Sequence, residues 1–170
     1  MGDFKYRNSA SFGKRQEYMA VAELLRRGYD VYMTLVDDQG IDCVVRKGPR
    51  RYFEVQVKAR SKDVKSHNAG IFPMLKIPEA RPNYIFIFYS EMTVHDGRAG
   101  TYWVIPSTHI VRPGFSNVGG GRANKGRYRL VLANWQKKMG HPIPRPKYIK
   151  YVNAFRRVLG NPTAENNVER

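Results

Sequence analysis

The stretch that most constrains the fold is "YFEVQVKAR", residues 52–60, in which apolar and polar residues alternate with a period of two. Successive side chains of a β-strand point to opposite faces of the sheet. The apolar face holds Phe53, Val55 and Val57, and the polar face holds Glu54, Gln56 and Lys58. The apolar face predicts a strand that covers a hydrophobic core. The polar face is either solvated or one wall of an active site.

A second strand precedes this one and completes a β-hairpin. The segment "IDCVVR" is followed by a turn around Lys47–Pro49, so we predict a hairpin with strands at 41–46 and 51–58. Laying the apolar residues of both strands on one side forces Asp42 onto the polar side. Directly opposed residues of a hairpin lie roughly 5 Å apart and diagonal neighbours roughly 7–8 Å. We therefore expect Asp42 to share a small volume with Gln56 and Lys58.

The remaining pattern predicts an α/β or α+β domain around a central mixed β-sheet. A helix is expected at 13–27, with an apolar stripe formed by Tyr18, Val21, Ala22 and Leu25. Further strands are expected at 29–36, 83–90, 101–105 and 127–132, a short helix N-capped by Ser107, and a basic helix at 147–160 that ends at Gly160. The proline-rich segments 71–82 and 141–147 are predicted to be irregular, and 114–126 to be a glycine-rich loop.

With 170 residues the chain is long enough for one domain with a substantial core and short for two. We predict an N-terminal arm at 1–12, a single domain at 13–159 and a flexible tail at 160–170. No stretch approaches the ~18 apolar residues that cross a bilayer, and the N-terminus lacks the apolar stretch of a signal peptide. The single cysteine, Cys43, is interpreted as a reduced core thiol. These features predict a cytoplasmic protein.

Charge is the strongest indication of a partner. Thirty Lys and Arg residues against fourteen Asp and Glu residues give a formal net charge of +16. Such a chain attracts polyanions, which favours nucleic acid over the alternatives of a solubilising surface or an acidic protein partner. The basic residues concentrate at 46–65, 122–129 and 137–157. That spread predicts a charged face of the folded domain.

The hairpin supplies the groups that phosphodiester hydrolysis requires. Mg²⁺ prefers oxygen ligands and binds through one or two carboxylates together with substrate phosphate. Asp42 with Gln56 or Glu54 supplies such oxygens, and Lys58 can orient or deprotonate an attacking water. On the preceding helix, Glu17 borders the apolar stripe and adds a further acid. The four candidate histidines show no zinc-ligand spacing.

The segments "GKRQEYMAVAELLRRGYDVY", "GIDCVV" and "FEVQVK" together resemble the PD-(D/E)xK nuclease superfamily, which has the restriction-endonuclease-like fold. The chain is similar in particular to small single-domain prokaryotic members and to archaeal-type Holliday-junction resolvases. The resemblance covers residues 13–105. Glu17 matches the helix acid of the family, Asp42 the motif aspartate and Lys58 the motif lysine. Gln56 stands where the family usually has Asp or Glu, and Ile41 replaces the motif proline.

The resemblance implies Mg²⁺-dependent cleavage of nucleic acid, usually DNA, with Mn²⁺ as a substitute metal and RNA as an alternative substrate. The implied catalytic set is Glu17, Asp42, Gln56 and Lys58, with Asp42, Gln56 and Glu54 as metal ligands. Nucleic-acid contacts are expected from Lys14, Arg60, Lys62, Lys65, Arg122 and Lys125. Resemblance to resolvases favours a homodimer, and DNA as partner favours association with the nucleoid.

Two other functions remain open at this level. The neutral Gln56 is also what a non-enzymatic nucleic-acid-binding module on the same fold would carry. A basic face is also what an interaction protein would present to an acidic partner. With no separate recognition domain visible, structure-directed or partner-directed cleavage is favoured over recognition of a long sequence.

Overall fold

A computed structural model describes residues 9–35, 40–63, 65, 68–119, 121–122 and 124–162. The first half contains α1 (Ser9–Arg26), β1 (Asp30–Met33), β2 (Cys43–Arg46), β3 (Tyr52–Arg60), β4 (Ile71–Lys76) and β5 (Tyr84–His95). The second half contains β6 (Arg98–Pro106), α2 (Ser107–Ile110), β7 (Asn117–Val118), β8 (Arg127–Val131), β9 (Ala133–Gln136), β10 (His141–Pro144), a 3-10 helix (Pro146–Tyr151) and α3 (Phe155–Leu159).

The centre of the molecule is a five-stranded sheet in the order β1-β2-β3-β5-β6. Strands β3 and β5 run parallel, whereas the other neighbours are antiparallel. The prediction of an α+β domain with a central mixed sheet is therefore confirmed. The β2–β3 hairpin is also present, with Cys43 opposite Val55 and Val45 opposite Phe53.

Hydrophobic residues cover both faces of this sheet. On one face, Ala20 and Leu24 of α1 pack with Cys43 and Val55 of the hairpin. The opposite face carries a second cluster beneath a three-stranded sheet of order β4-β8-β7. Its members include Phe72, Phe86, Phe88, Trp103 and Leu130. The hairpin is thus held between a helix layer and a second sheet.

The predicted apolar stripe of α1 is confirmed only at Val21, which packs against the buried cluster, and is wrong for the other three residues. Tyr18 and Leu25 are 59% and 54% exposed, and the helix instead buries the line Phe12, Gln16, Ala20 and Leu24. The helix also begins at Ser9, inside the predicted arm. The rest of the arm, 1–8, and most of the predicted tail, 163–170, lie outside the described residues. The buried line of the helix is the one whose Ala20 and Leu24 pack with Cys43 and Val55 of the hairpin.

Both proline-rich segments predicted to be irregular contain strands. In β4, Pro73 lies at an exposed position where the register shifts between Phe72 and Leu75. In β10, Pro142 and Pro144 belong to a two-stranded sheet with β9. Proline is tolerated at bulges and on edge strands because no ladder hydrogen bond is then lost.

The predicted C-terminal helix is divided. Val152 forms an isolated bridge with Trp103, and Asn153 has φ of +50°, so the chain leaves the 3-10 helix before α3 begins. Tyr148, Tyr151 and Phe155 are buried, which assigns them to the core. Ser107 does not cap α2 through its side chain, because its hydroxyl donates to the backbone oxygen of Arg81 at 2.9 Å. No helix in the described ranges has the length and apolarity to cross a membrane.

Candidate active site

Asp42 lies immediately before β2 and is fixed by the neighbouring strand. Its backbone N–H donates to the oxygen of Val55 at 2.8 Å. Its carboxylate oxygen Oδ2 accepts a hydrogen bond from the backbone N–H of Val57 at 2.6 Å. The Asp42 carboxylate thus accepts a hydrogen bond that a backbone carbonyl would accept inside the sheet, at a position just before β2 begins. Asp42 is 5% exposed, so its orientation is set by the hairpin itself.

Gln56 lies beside Asp42 and is held by a residue that sequence patterns did not identify. The Tyr84 hydroxyl donates to Oε1 of Gln56 at 3.1 Å and also lies 3.4 Å from the carbonyl oxygen of Gly40. Tyr84 is the first residue of β5 and reaches Gln56 because β3 and β5 are parallel neighbours. An amide oxygen has two lone pairs. One of them remains for a further partner of Gln56.

Gly40 makes room for the Gln56 amide. Its φ is +73°, a left-handed conformation that L side chains rarely adopt. A Cβ atom at this position would lie 2.5 Å from Nε2 of Gln56. The turn that leads into Asp42 therefore packs directly on the second predicted ligand, and any side chain at position 40 would strain the backbone and have to displace the Gln56 amide.

Replacing Gly40 by alanine should destabilise the fold by about 1–3 kcal/mol, because the left-handed backbone becomes strained, and should displace the Gln56 amide. The measurement is urea unfolding. Gly13→Ala is the control, because Gly13 is helical and its Cβ would meet nothing within 4 Å. That variant should gain up to about 1 kcal/mol from higher helix propensity. Equal stability of the Gly40 variant and wild type would contradict the assignment.

Lys58 follows Gln56 on the polar side of β3. The two Cα atoms are about 6.7 Å apart along a strand. Lys58 lines a cavity of about 200 Å³ between β3 and β4, together with Ala59, Arg60, Phe72, Pro73 and Leu75. The lysine is half-buried against this apolar wall. The structure therefore keeps Gln56 and Lys58 on one face, as predicted from the alternation.

Glu17 approaches from the helix layer, on the other face of the sheet. It forms a salt bridge with Lys14. This hydrogen bond is the main reason why the pKa of Lys14 is raised, and the charge of Asp42 adds to it. Burial raises the pKa of Cys43 to about 12, and the charges of Asp42 and Glu17 both contribute. Lys14, Glu17 and Asp42 thus share one electrostatic neighbourhood at the start of β2.

Glu54 is engaged by Arg81, another residue absent from the sequence prediction. The two form a salt bridge in which Arg81 Nε also donates to Oε2 of Glu54 at 3.0 Å. The Arg81 guanidinium lies 5.2 Å from the ring centroid of Tyr84. Glu54 is therefore bound to a cation beside the site. Its role as a metal ligand stays a prediction, and this pairing does not favour it.

The predicted nucleic-acid contacts divide into one anchored cation and five exposed residues. Arg60 donates from Nε to the oxygen of Ile71 at 2.6 Å, and burial lowers its pKa. It connects β3 to β4. The side chains of Lys14, Lys62, Lys65, Arg122 and Lys125 are exposed. The sequence pattern could not distinguish Arg60 from the exposed cations, because Arg60 is partly buried only through its contact with β4.

Two further observations bear on the site. Within the described ranges, no three His, Cys, Asp or Glu side chains come close enough to hold a metal ion by themselves. A larger cavity, of about 510 Å³, lies between the end of α1 and the β5–β6 turn. Two of its three arginines, Arg26 and Arg27, pair with Glu23, and the third is Arg98. The hairpin remains the better candidate because it combines oxygen ligands with a lysine.

No protein-family model matches the chain, and no curated protein matches it. Among solved structures, the chain is similar to a bacterial homing endonuclease, I-Ssp6803I, with a TM-score of 0.51 and 16% sequence identity. The match covers 89% of this chain and 92% of the other. At this identity the likeness concerns the fold alone. The chain therefore has a mixed α+β fold similar to that of a nuclease.

Proposed function

We propose that the protein is a metal-dependent endonuclease that hydrolyses phosphodiester bonds in DNA, with a site of the PD-(D/E)xK type. The observation that carries this proposal is that buried Asp42 accepts a hydrogen bond from the Val57 N–H, next to buried Gln56 on β3, and that Lys58 follows on the same strand. The net charge of +16 favours a polyanionic substrate. The nuclease-like fold supports the same conclusion.

The donor set fits Mg²⁺. One carboxylate from Asp42 and one amide oxygen from Gln56 match an ion that binds few protein ligands and completes its shell with water and phosphate. Mn²⁺ accepts the same oxygen ligands, whereas zinc sites use His and Cys. A bound Mg²⁺ would polarise the scissile phosphate and lower the pKa of a coordinated water.

The residues of the chain have separate roles in this proposal. Val57 N–H and Tyr84 OH hold the ligand oxygens of Asp42 and Gln56 in place. Lys58 orients the attacking water and takes part in its proton transfer. Glu17 adds negative charge near Asp42 from the helix side, and its partner Lys14 offers a cation to the substrate backbone. A homodimer, activity on RNA and a nucleoid-associated location stay predictions.

A cleavage assay tests the proposal. Linear duplex, single-stranded, flap and four-way-junction DNA would each be incubated with Mg²⁺, Mn²⁺ or EDTA. We expect cutting with either metal and none with EDTA, and the preferred DNA would identify the substrate class. Binding of the DNA panel without metal-stimulated cutting of any member would refute the endonuclease.

One observation favours a second candidate, a nucleic-acid-binding module without catalysis. Gln56 brings no charge, and Glu54 is bound to Arg81, so Asp42 is the only carboxylate that the described hairpin offers to a metal. In that case Gln56→Glu should be the first change to create metal-stimulated cutting. Salt-sensitive DNA binding without cleavage by wild type, together with metal-stimulated cutting by Gln56→Glu, would support the binding module.

A further inference from the structure

The outer face of the second sheet carries cations that form no salt bridge with an acid of the described ranges. In β4 and β8, Phe72, Leu75 and Leu130 turn inward to the core. Because side chains alternate along a strand, Lys76, Arg127 and Arg129 turn outward, and all three are exposed. The face they form, together with Asn117 of β7, is called the outer face below.

The register of the strands places like charges side by side. Lys76 pairs directly with Arg127, which is a like-charge pair, whereas Arg129 lies opposite the neutral Asn117. Directly opposed residues are roughly 5 Å apart, and like charges at that position destabilise a sheet. No acid of the described residues forms a salt bridge with these cations, and the sequence contains no Asp or Glu between Asp96 and Glu165. The outer face therefore presents a concentration of positive charge that favours an external polyanion.

The loop between β7 and β8 extends the same charge. Arg122 and Lys125 are exposed in this loop. The two strands and their loop form a β-hairpin whose cations lie on its outer face and at its tip. The major groove of B-DNA is about 12 Å wide and admits a two-stranded β-ribbon. Here β8 is the central strand between β4 and β7, and the axes of these two outer strands lie about 10 Å apart. The deep, narrow major groove of A-form RNA does not admit such side chains.

The spacing of the two arginines matches the rise of duplex DNA. Residues two apart on a strand are separated by about 6.7 Å, and two base-pair steps of B-DNA rise by about 6.8 Å. Arginine is the side chain that most commonly recognises guanine, through two parallel hydrogen bonds to O6 and N7. Arg127 and Arg129 are therefore spaced to reach bases that are separated by one intervening base pair.

The second sheet, whose far side is the outer face, is attached to the strand that carries the candidate active site. Arg60 joins the end of β3 to Ile71 at the start of β4. The cavity beside Lys58 is lined on its other side by Phe72, Pro73 and Leu75 of β4. The second sheet is thus attached through its inner side to the strand that carries Gln56 and Lys58, and the outer face lies on the opposite side of β4 and β8.

We propose that the outer face of β4, β8 and β7 binds the major groove of duplex DNA. Arg127 and Arg129 read two bases separated by one base pair, and Arg122 and Lys125 contact phosphates. This inference rests on the proposed function, since it takes DNA as the substrate. It gives the protein a preference for particular DNA sequences, whereas the amino-acid sequence alone favours cleavage directed by DNA structure.

The test is selection of binding sites from a random duplex library in EDTA, which separates binding from cleavage. Wild type should enrich sites with two guanines in the predicted spacing. The double variant Arg127→Ala/Arg129→Ala should lose that preference and bind the selected site about tenfold or more weakly. The control Arg98→Ala/Arg156→Ala removes the same charge from exposed positions of β6 and α3 and should retain the preference.

A second variant distinguishes charge from geometry. Arg127→Lys/Arg129→Lys keeps both charges but loses the planar fork of the guanidinium, so it should lose base preference while its salt dependence stays as in wild type. Equal losses in the alanine variant and the control, or equal competition by duplex RNA, would overturn the inference alone. Absence of DNA binding by wild type would overturn the proposed function as well. Selective binding without cleavage in Mg²⁺ would overturn only the nuclease and leave the groove-binding surface supported.

Discussion

Replacing Asp42 by asparagine should lower metal-dependent DNA cleavage by about 10³-fold or more, because charge stabilisation by a metal is worth several kcal/mol. Asparagine keeps the shape of the side chain and can still accept the hydrogen bond from Val57 N–H. It removes only the negative charge that would hold Mg²⁺. The measurement is single-turnover cleavage of the preferred DNA across a Mg²⁺ titration, beside binding in EDTA.

The matched control for this variant is Asp63→Asn. Asp63 is an exposed acid in the loop after β3 and is not one of the predicted metal ligands. It should cleave like wild type at every Mg²⁺ concentration. DNA binding in EDTA should persist in the Asp42 variant, because removing the negative charge of Asp42 reduces the repulsion between the site and DNA phosphates. Full cleavage by Asp42→Asn would contradict the metal assignment.

Replacing Lys58 by alanine should reduce cleavage by about 10²–10⁴-fold, the usual contribution of a positioned acid–base group. The half-buried ammonium lies beside the apolar wall of β4, where its position relative to Gln56 is fixed by the strand. Its stem packs there, so the variant should also lose some stability. The measurement is the single-turnover rate at saturating DNA, together with a urea unfolding curve.

Two controls separate proton transfer from charge. Lys58→Arg keeps the positive charge, but its guanidinium stays protonated near neutral pH and cannot exchange a proton. This variant should therefore be as inactive as Lys58→Ala. Lys137→Ala removes an exposed lysine from the β9–β10 turn and should cleave normally. Substantial activity in Lys58→Arg would show that Lys58 supplies charge to the phosphate and no proton.

Part of the site could be predicted because its information is local. The alternation from Phe53 to Lys58 fixes which side chains share a face, and the turn at Lys47–Pro49 fixes the register that brings Asp42 beside Gln56. Both depend on residues close together in the chain. The apolar stripe of α1 failed as a local signal, because Tyr18 and Leu25 are hydrophobic but exposed.

The groups that surround the site could not be predicted in the same way. Tyr84 touches Gln56 only because β5 lies parallel to β3, and Arg81 reaches Glu54 from the segment before β5. A local pattern does not specify which distant strand becomes a parallel neighbour. The requirement for glycine at position 40 appears only when the Gln56 amide is packed against it.

By itself, the sequence determined the hairpin, the polar face of β3 and the strongly basic character of the chain, because periodicity and charge are properties of neighbouring residues and of composition. The tertiary structure alone decided that β4 and β8 form a second sheet over Phe86 and Phe88, with Arg127 and Arg129 facing outward. Proline in β4 obscured that sheet, since a strand containing it is stable only when a bulge and a distant partner accommodate the missing hydrogen bond.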